Sequence, residues 1–372
     1  MIRTVLVTGA SGFIGKNLCS ALEQKRNLKL LPYGREDNVE TLAVYLEQAD
    51  FIFHLAGVNR PQSPEEYDEG NRGFTDILLS LIEQQGKRTP IAFASSIQAA
   101  LDNAYGASKR AAEAALFEWS RKNHAPVYIY RLPNVFGKWS KPNYNSVIAT
   151  FCHNISHGIP IEIHHPLNEL TLVYIDDVIH EFLQTVNELT SPDEDGFCYV
   201  SKRYQVTLQQ IVNLLYSFDQ SRKHLVMPDL KGDFERKLFA TYTSYLPEDE
   251  FDYSLDMKED ARGWLAEFIK SKEFGQIFIS RTKPGITRGN HWHHTKVEKF
   301  LVVDGEGLIR LKKVGSNDLI TYNVSGRQLK VVDIPAGYTH SITNTGSRDM
   351  ITLFWANQVF DPEQPDTYYL EV

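Results

Sequence analysis

Residues 5–15 read Val5-Leu6-Val7-Thr8-Gly9-Ala10-Ser11-Gly12-Phe13-Ile14-Gly15, an apolar strand that turns sharply into a helical pattern from about Lys16. Each glycine has a use in such a turn. Gly9 permits the tight turn, Gly12 leaves the backbone open to a phosphate, and Gly15 lets the helix pack closely. The helix start then offers unpaired N–H groups and the positive end of its dipole to an anion. A glycine trio alone also marks plain turns. Its place after a strand and before an amphipathic helix favours a dinucleotide-phosphate loop.

The alternation continues to about residue 245. DFIFHLAG, PIAFASS and VYIYRLPN are apolar runs separated by helical patterns such as KNLCSALEQ and SKRAAEAALFEWSRK. Such strands are covered on both faces, so 1–245 should hold βαβ units in a Rossmann-type, doubly wound parallel sheet. The acidic, turn-rich stretch that follows makes 246–255 a linker. Residues 256–372 alternate in short strands (QIFISR, EKFLVV, GLIRLKKV, QLKVVDIP, DMITLFWAN) bounded by Gly, Asn and Pro, the pattern of a sandwich or barrel. The expected class is α/β followed by all-β.

Composition restricts the partners. A chain of 372 residues allows two or three domains, and 42% hydrophobic with 23% charged residues is ordinary for a folded soluble protein. A net charge of −8 argues against nucleic acid or an anionic membrane, which need a basic face. No apolar run approaches the roughly 18 residues that cross a bilayer. The N-terminus lacks a signal-peptide cleavage pattern. Cys19, Cys152 and Cys198 form neither a disulfide framework nor a thiolate metal knot. The expectation is a cytoplasmic enzyme or binding protein.

The second apolar run, LKLLPYG, ends at Arg35, where an acid commonly meets a ribose 2′-OH. An arginine suits a 2′-phosphate, which favours NADPH; the other reading leaves Arg35 solvated and gives the ribose to Glu36 or Asp37. Tyr105 and Lys109 form Y-x-x-x-K on one helix face, so the ammonium can lower the phenol's pKa and hold a ribose. Ser95-Ser96, at the end of the preceding strand, places a hydroxyl where it can polarise a carbonyl. Ser96, Tyr105 and Lys109 thus suit hydride chemistry at a ketone or alcohol.

With these residues the first half resembles the extended short-chain dehydrogenase/reductases of sugar nucleotides. The resemblance runs through T-G-x-x-G-x-x-G at 8–15, H-L-A-G at 54–57, Asn71, Ser96, Tyr105 and Lys109, R-L-P-N-V-F-G at 131–137 and V-Y-I-D-D at 173–177. It implies that Tyr105 is the acid/base, Lys109 its helper and Ser96 the carbonyl-orienting group. Gly9, Gly12, Phe13, Ile14, Gly15, Arg35, His54, Leu55, Ala56, Gly57 and Pro133 would join Tyr105 and Lys109 around the cofactor. Asn134, Lys141, Asn143 and Asn145 would face the sugar nucleotide with Ser96. Relatives often carry an arginine before V-Y-I-D-D for the diphosphate; Asn168-Glu169-Leu170 offers none.

In the second half, His291 and His293 share one face of a strand. Glu298 is out of that parity, so a turn through 294–296 must return it to the same interior, and its neighbour Lys299 should point outward. His340 follows a second turn. Three imidazoles and a carboxylate suit Zn, Fe, Mn or Ni. These are the two motifs of the cupin family, G-x5-H-x-H-x4-E-x6-G and P-x-G-x2-H-x3-N, with Leu329 where a glycine usually opens the second. The resemblance implies that His291, His293, Glu298 and His340 bind metal in a jelly-roll barrel. Asp260, Arg262, Gly263 and Glu267 also resemble the D-x-R-G-x-x-x-E start of cupin sugar-nucleotide 3,5-epimerases.

Taken whole, the chain resembles bifunctional capsular polysaccharide enzymes through G-N-H-W-H-H-T-K at 289–296, F-G-K-W at 136–139, residues 141–152 and the C-terminal D-P-x-Q-P-D-T-Y. This implies a zinc-binding homodimer acting on a UDP-linked 4-keto-6-deoxy amino sugar in the UDP-N-acetyl-L-fucosamine route. A 4-keto group acidifies the C3 proton, so C3 would epimerise before NADPH reduces C4. His294, Lys296 and Tyr338 are the candidate epimerase bases. The metal is catalytic or structural, and a second reading makes the barrel only a metal-stapled dimerisation or sensing module.

Overall fold

The computed structural model describes residues 3–61, 63, 65–255, 257–260, 263–266, 269, 275–358 and 363–372. The chain divides into two compact units, Met1–Ser146 with Leu170–Val206, and Val147–Glu169 with Thr207–Val372.

In the first unit, β1 (Arg3–Thr8), β2 (Leu28–Tyr33), β3 (Phe51–His54), β4 (Ile91–Ser96), β5 (Val127–Leu132) and a short strand Phe197–Cys198 form one sheet. The order is β2-β1-β3-β4-β5 and then Phe197–Cys198, with every pairing parallel. The strand order reverses at β1 and β3, which opens a crevice where β1 ends. Side chains alternate between two covered faces. With helices α1 to α5 counted as Phe13–Glu23, Val39–Gln48, Glu65–Tyr67, Phe74–Gln84 and Ala104–Asn123, Leu6, Ile52 and Ile129 join one core with Leu42, Leu78 and Leu116 of α2, α4 and α5. On the other face, Phe53 stacks on Phe182 of the helix Ile175–Val186. Continuous apolar strands are the sequence trace of this double cover.

The second unit carries the helices Val147–Ser156, Leu208–His224 and Asp233–Thr243 beside two five-stranded sheets. One sheet runs, in order, Asp252–Ser254, Lys330–Ile334, Glu298–Asp304, Met350–Ala356 and Gln276–Thr282; the other runs Leu319–Ser325, Glu306–Lys313, Tyr338–Asn344, Thr287–Trp292 and Tyr368–Tyr369. Adjacent strands in both are antiparallel. Phe218 packs edge-on against Phe239, joining two of the helices.

Two expectations are corrected here. Residues 246–255 contain a strand: Asp252–Ser254 pairs with Lys330–Ile334, and Phe251 and Leu255 are buried. The acidic residues hid the alternation of Phe251, Tyr253 and Leu255. Lys299 does lie on the opposite face from Glu298, but that face is covered. Its ammonium is buried against Asp333 and the Tyr253 hydroxyl, and Arg222 binds the other oxygen of Asp333 at 3.2 Å. Within the D-x-R-G-x-x-x-E stretch, Met257–Asp260 and Gly263–Ala266 form a hairpin; Arg262 and Glu267 lie outside the described residues. Among the described residues no helix is long and apolar enough to cross a membrane.

Candidate functional site

The glycine loop closes the carboxyl end of β1. Gly9 has φ +70°, and a Cβ there would stand 2.7 Å from the Ala56 nitrogen. A Cβ on Gly15 would stand 2.1 Å from the Gly9 carbonyl oxygen and 2.8 Å from the Ala10 Cα. The third glycine is therefore demanded by the loop's own backbone folded against the helix. Gly12 is the N-cap of α1 and offers no side-chain cap, so the first turn keeps its N–H groups for an anion. Phe13 and Ile14 form that first turn, half-buried.

His54 was expected beside the cofactor, but its ring is wholly buried and meets Thr8 Oγ1 at 3.0 Å and Thr75 Oγ1 at 2.9 Å. Burial first, and Lys109 second, push its pKa down to about 3, so it is a neutral brace under the loop. Thr8 Oγ1 also accepts from the Leu55 and Ala56 N–H groups at 3.2 and 3.3 Å, which fixes the backbone leading to Gly57. At the end of β2 the Gly34 N–H donates to Asp37 Oδ2 at 2.7 Å, so Asp37 is occupied in closing the turn. Arg35 and Glu36 are exposed there, and a Cβ on Gly34 would stand 3.7 Å from Ser11 Oγ of the glycine loop.

Tyr105 is aimed by its neighbours. Asn103 caps α5 by accepting from the Gly106 N–H at 2.7 Å. A Cβ on Gly106 would collide with the Gln98 carbonyl at 2.2 Å, so this glycine lets the turn after Ser96 lie against the helix. The result sets the Ser96 hydroxyl beside the Tyr105 phenol. Burial raises the phenol's pKa, and the neighbouring Ser96 hydroxyl opposes it. The Lys109 ammonium donates to the Ala94 carbonyl at 3.0 Å, over the Phe93 ring. Burial lowers the Lys109 pKa to about 8, against a smaller opposing pull from Glu113. A Cβ on Gly57 would lie 3.3 Å from Lys109 Nζ and 2.6 Å from Asn71 Oδ1. Asn71, in a π-helical turn, clamps Val58 through its N–H at 3.1 Å and its carbonyl at 2.9 Å, and donates to Ser108 at 3.0 Å. Gly106 and Asn103 escaped the sequence reading; the N-A-Y-G run around the tyrosine was their signal.

Pro133 is buried, whereas Asn134, Lys141, Asn143 and Asn145 are exposed in the stretch that follows. Asn134 donates to the Thr171 carbonyl at 3.3 Å, and Lys141 lies 5.6 Å from the Tyr144 ring. Lys138, a nearby cation, is buried and paired with Asp176 at 2.9 Å.

In the β-rich unit one ligand atom from each of His291, His293, Glu298 and His340 lies within 4.8 Å of the others. A bulge between Gly289 and His291, with Asn290 at φ +56°, sets the register that pairs His291 with His340. Glu298 Oε2 lies 3.3 Å from Nε2 of both His293 and His340. Burial would raise the Glu298 carboxyl, but the neighbouring His293 and His340 outweigh it and hold it well below the carboxylate range. Burial followed by the neighbouring histidines lowers His291 to about 4. Neither ring nitrogen of the fully buried His340 makes a hydrogen bond. Lone pairs converging on an ionised carboxylate in a dry interior fit a divalent cation of the borderline class.

Two of the three candidate bases, Lys296 and Tyr338, are held by hydrogen bonds. Lys296 Nζ donates to the Pro365 carbonyl at 2.8 Å and to Thr367 Oγ1 at 3.2 Å. The Tyr338 hydroxyl donates to Glu248 at 2.9 Å, and burial followed by Glu248 raises its pKa. The His294 ring packs between Trp292 and Tyr368.

A parallel sheet with a glycine loop at its strand-order reversal and a Ser/Tyr/Lys group beside it defines a nicotinamide-dependent class. The chain belongs to the NAD dependent epimerase/dehydratase family, matched over residues 5–195, and its β-rich half matches the polysaccharide biosynthesis C-terminal domain over residues 258–368. Along its length it is similar to a UDP-2-acetamido-2,6-beta-L-arabino-hexul-4-ose reductase of Pseudomonas aeruginosa, with 44% identity over 99% of this chain and 98% of that one. It is also similar to the crystal structure of the capsular polysaccharide assembling protein CapF from Staphylococcus aureus, at 49% identity and TM-score 0.68, covering 99% and 100% of the two chains. UDP-glucuronic acid 4-epimerase from Bacillus cereus, 19% identical with TM-score 0.52 over 59% of this chain and 83% of its own, shares the fold alone.

Proposed function

We propose that this chain is a bifunctional UDP-sugar enzyme. Its cupin half epimerises C3 of a 4-keto-6-deoxy-N-acetylhexosamine nucleotide, and its first half then reduces the C4 ketone with NADPH, toward UDP-N-acetyl-L-fucosamine. The grouping of Ser96 beside the buried Tyr105, with Lys109 one turn further along α5 and its ammonium on the Ala94 carbonyl, carries the reductase reading. In it, Ser96 orients the ketone, Tyr105 donates its phenolic proton to the C4 oxygen, and Lys109 holds the ribose beside Gly57. Bound NADPH would supply the hydride. Exposed Arg35, with Asp37 occupied, supports the 2′-phosphate reading.

For the second half, His291, His293, Glu298 and His340 would hold zinc or another divalent ion, which supplies Lewis acidity toward a carbonyl or staples the barrel. Removal of the C3 proton falls to His294, Lys296 or Tyr338. The anchoring of Lys296 and Tyr338 favours the second reading, a reductase whose barrel is only a metal-stapled dimerisation or sensing module. A cytoplasmic homodimer belongs to both readings.

The test is solvent deuterium exchange into C3 of the 4-keto UDP-sugar, with the full chain and no NADPH. Exchange that persists in Tyr105→Phe, while NADPH oxidation falls by about 10²-fold or more, is the expected result. Unimpaired oxidation in that variant refutes the reductase assignment. Exchange absent from metal-loaded wild type refutes the epimerase.

A further inference from the structure

We propose that Asp366 is the positioning residue of the metal centre: its carbonyl sets the tautomer of His293, and its carboxylate sets the turn that returns Glu298 to the ligand set. This deepens the metal reading and rests on it.

Between His293 and Glu298 the chain must change strand parity, and the turn that does so carries three consecutive N–H groups. All three converge on one side chain. The His294 N–H donates to Asp366 Oδ1 at 2.8 Å, and the Thr295 and Lys296 N–H groups donate to Oδ2 at 2.9 and 2.8 Å. The Thr295 hydroxyl adds a fourth bond to the carboxylate, the third to Oδ2, at 2.8 Å. Such a nest of backbone donors favours an anion. Asp366 itself sits at φ +38°, in the left-handed region that aspartate tolerates better than most residues.

The second constraint passes through the backbone. His293 Nδ1 lies 2.6 Å from the Asp366 carbonyl oxygen. A carbonyl only accepts, so Nδ1 carries the proton. Nε2 is then left with its lone pair toward Glu298 and His340, as a metal ligand requires.

The segment holding Asp366 is anchored on both sides. Lys296 Nζ ties Pro365 and Thr367, and Tyr368–Tyr369 pairs with Thr287–Trp292 at His291 and Trp292. The Leu370 N–H donates to the Asn290 carbonyl at 3.0 Å. His291, His293 and Glu298 are thus all set from one C-terminal strap, and Lys296 is its clamp.

Zinc affinity of the full chain, measured by competition with a chromophoric chelator, should fall by about 10- to 100-fold in Asp366→Ala. Asp366→Asn, which keeps the shape and one acceptor, should fall less and covers the case in which alanine fails to fold. Histidine ¹⁵N shifts of the metal-free chain should show His293 as the Nδ1–H tautomer in wild type and a mixture in the variants. Wild-type affinity together with an unchanged His293 tautomer in both variants would overturn the proposal. The metal-free tautomer comparison decides the positioning role even if wild type takes up no zinc, an outcome that would instead sink the metal reading.

Discussion

Burial of Lys109 is unfavourable at the scale of the single residue. Its ammonium is lowered to about 8 from an ordinary 10.5, chiefly by desolvation. Between these two pH values the unfolded chain binds a proton that the folded chain does not, so stability rises with pH across that window. Below about pH 8 the full destabilisation is present, on the order of 3 kcal/mol. Lys109→Met should therefore raise the melting temperature at pH 7 while weakening NADPH binding, and wild-type affinity should fall as pH rises past 8. Calorimetry and cofactor titration check both; a variant that is less stable at pH 7, with cofactor affinity unchanged, contradicts the reading. The grouping of Ser96 with Tyr105, and of His291 and His293 with Glu298 and His340, was legible in the sequence from motif spacing. His54 was not, because a buried imidazole shared between two threonines and a cofactor contact look alike in a sequence.

Elements explain why the glycines are where they are. The loop between β1 and α1 was readable because its function imposes residue types at fixed spacing, but the reason for Gly15 was not. Only the structure shows the Gly9 carbonyl 2.1 Å from the Cβ that Gly15 lacks. Gly15→Ala should displace the loop, cost about 1–3 kcal/mol through overpacking and weaken NADPH binding. Denaturant unfolding and fluorescence titration measure the two effects, and wild-type values of both would contradict the account. The strand at Asp252–Ser254 was hidden for a different reason. Its acidic neighbours read as solvent-facing linker, and its pairing partner lies about 80 residues later. Burial of Lys299 was hidden likewise, since Arg222, Tyr253 and Asp333 come from three separate elements.

Across the whole molecule, the α/β and all-β halves followed from periodicity, which is local. Which residues group into a compact unit is not local: 147–169 and 207–243 fall with the β-rich residues, although their helical pattern resembles the segments before them. The strap at 365–370 is the extreme case, since Asp366 acts on a turn some 70 residues away. The central claim is that two chemistries on neighbouring carbons are built into one chain. The most direct measurement is NMR of the product formed in D2O from a UDP-linked 4-keto-6-deoxy-N-acetylhexosamine, NADPH and the zinc-loaded full chain. The account predicts inverted C3 bearing deuterium and a C4 alcohol carrying the hydride from NADPH. A reduced C4 beside an unlabelled C3 of retained configuration would contradict it.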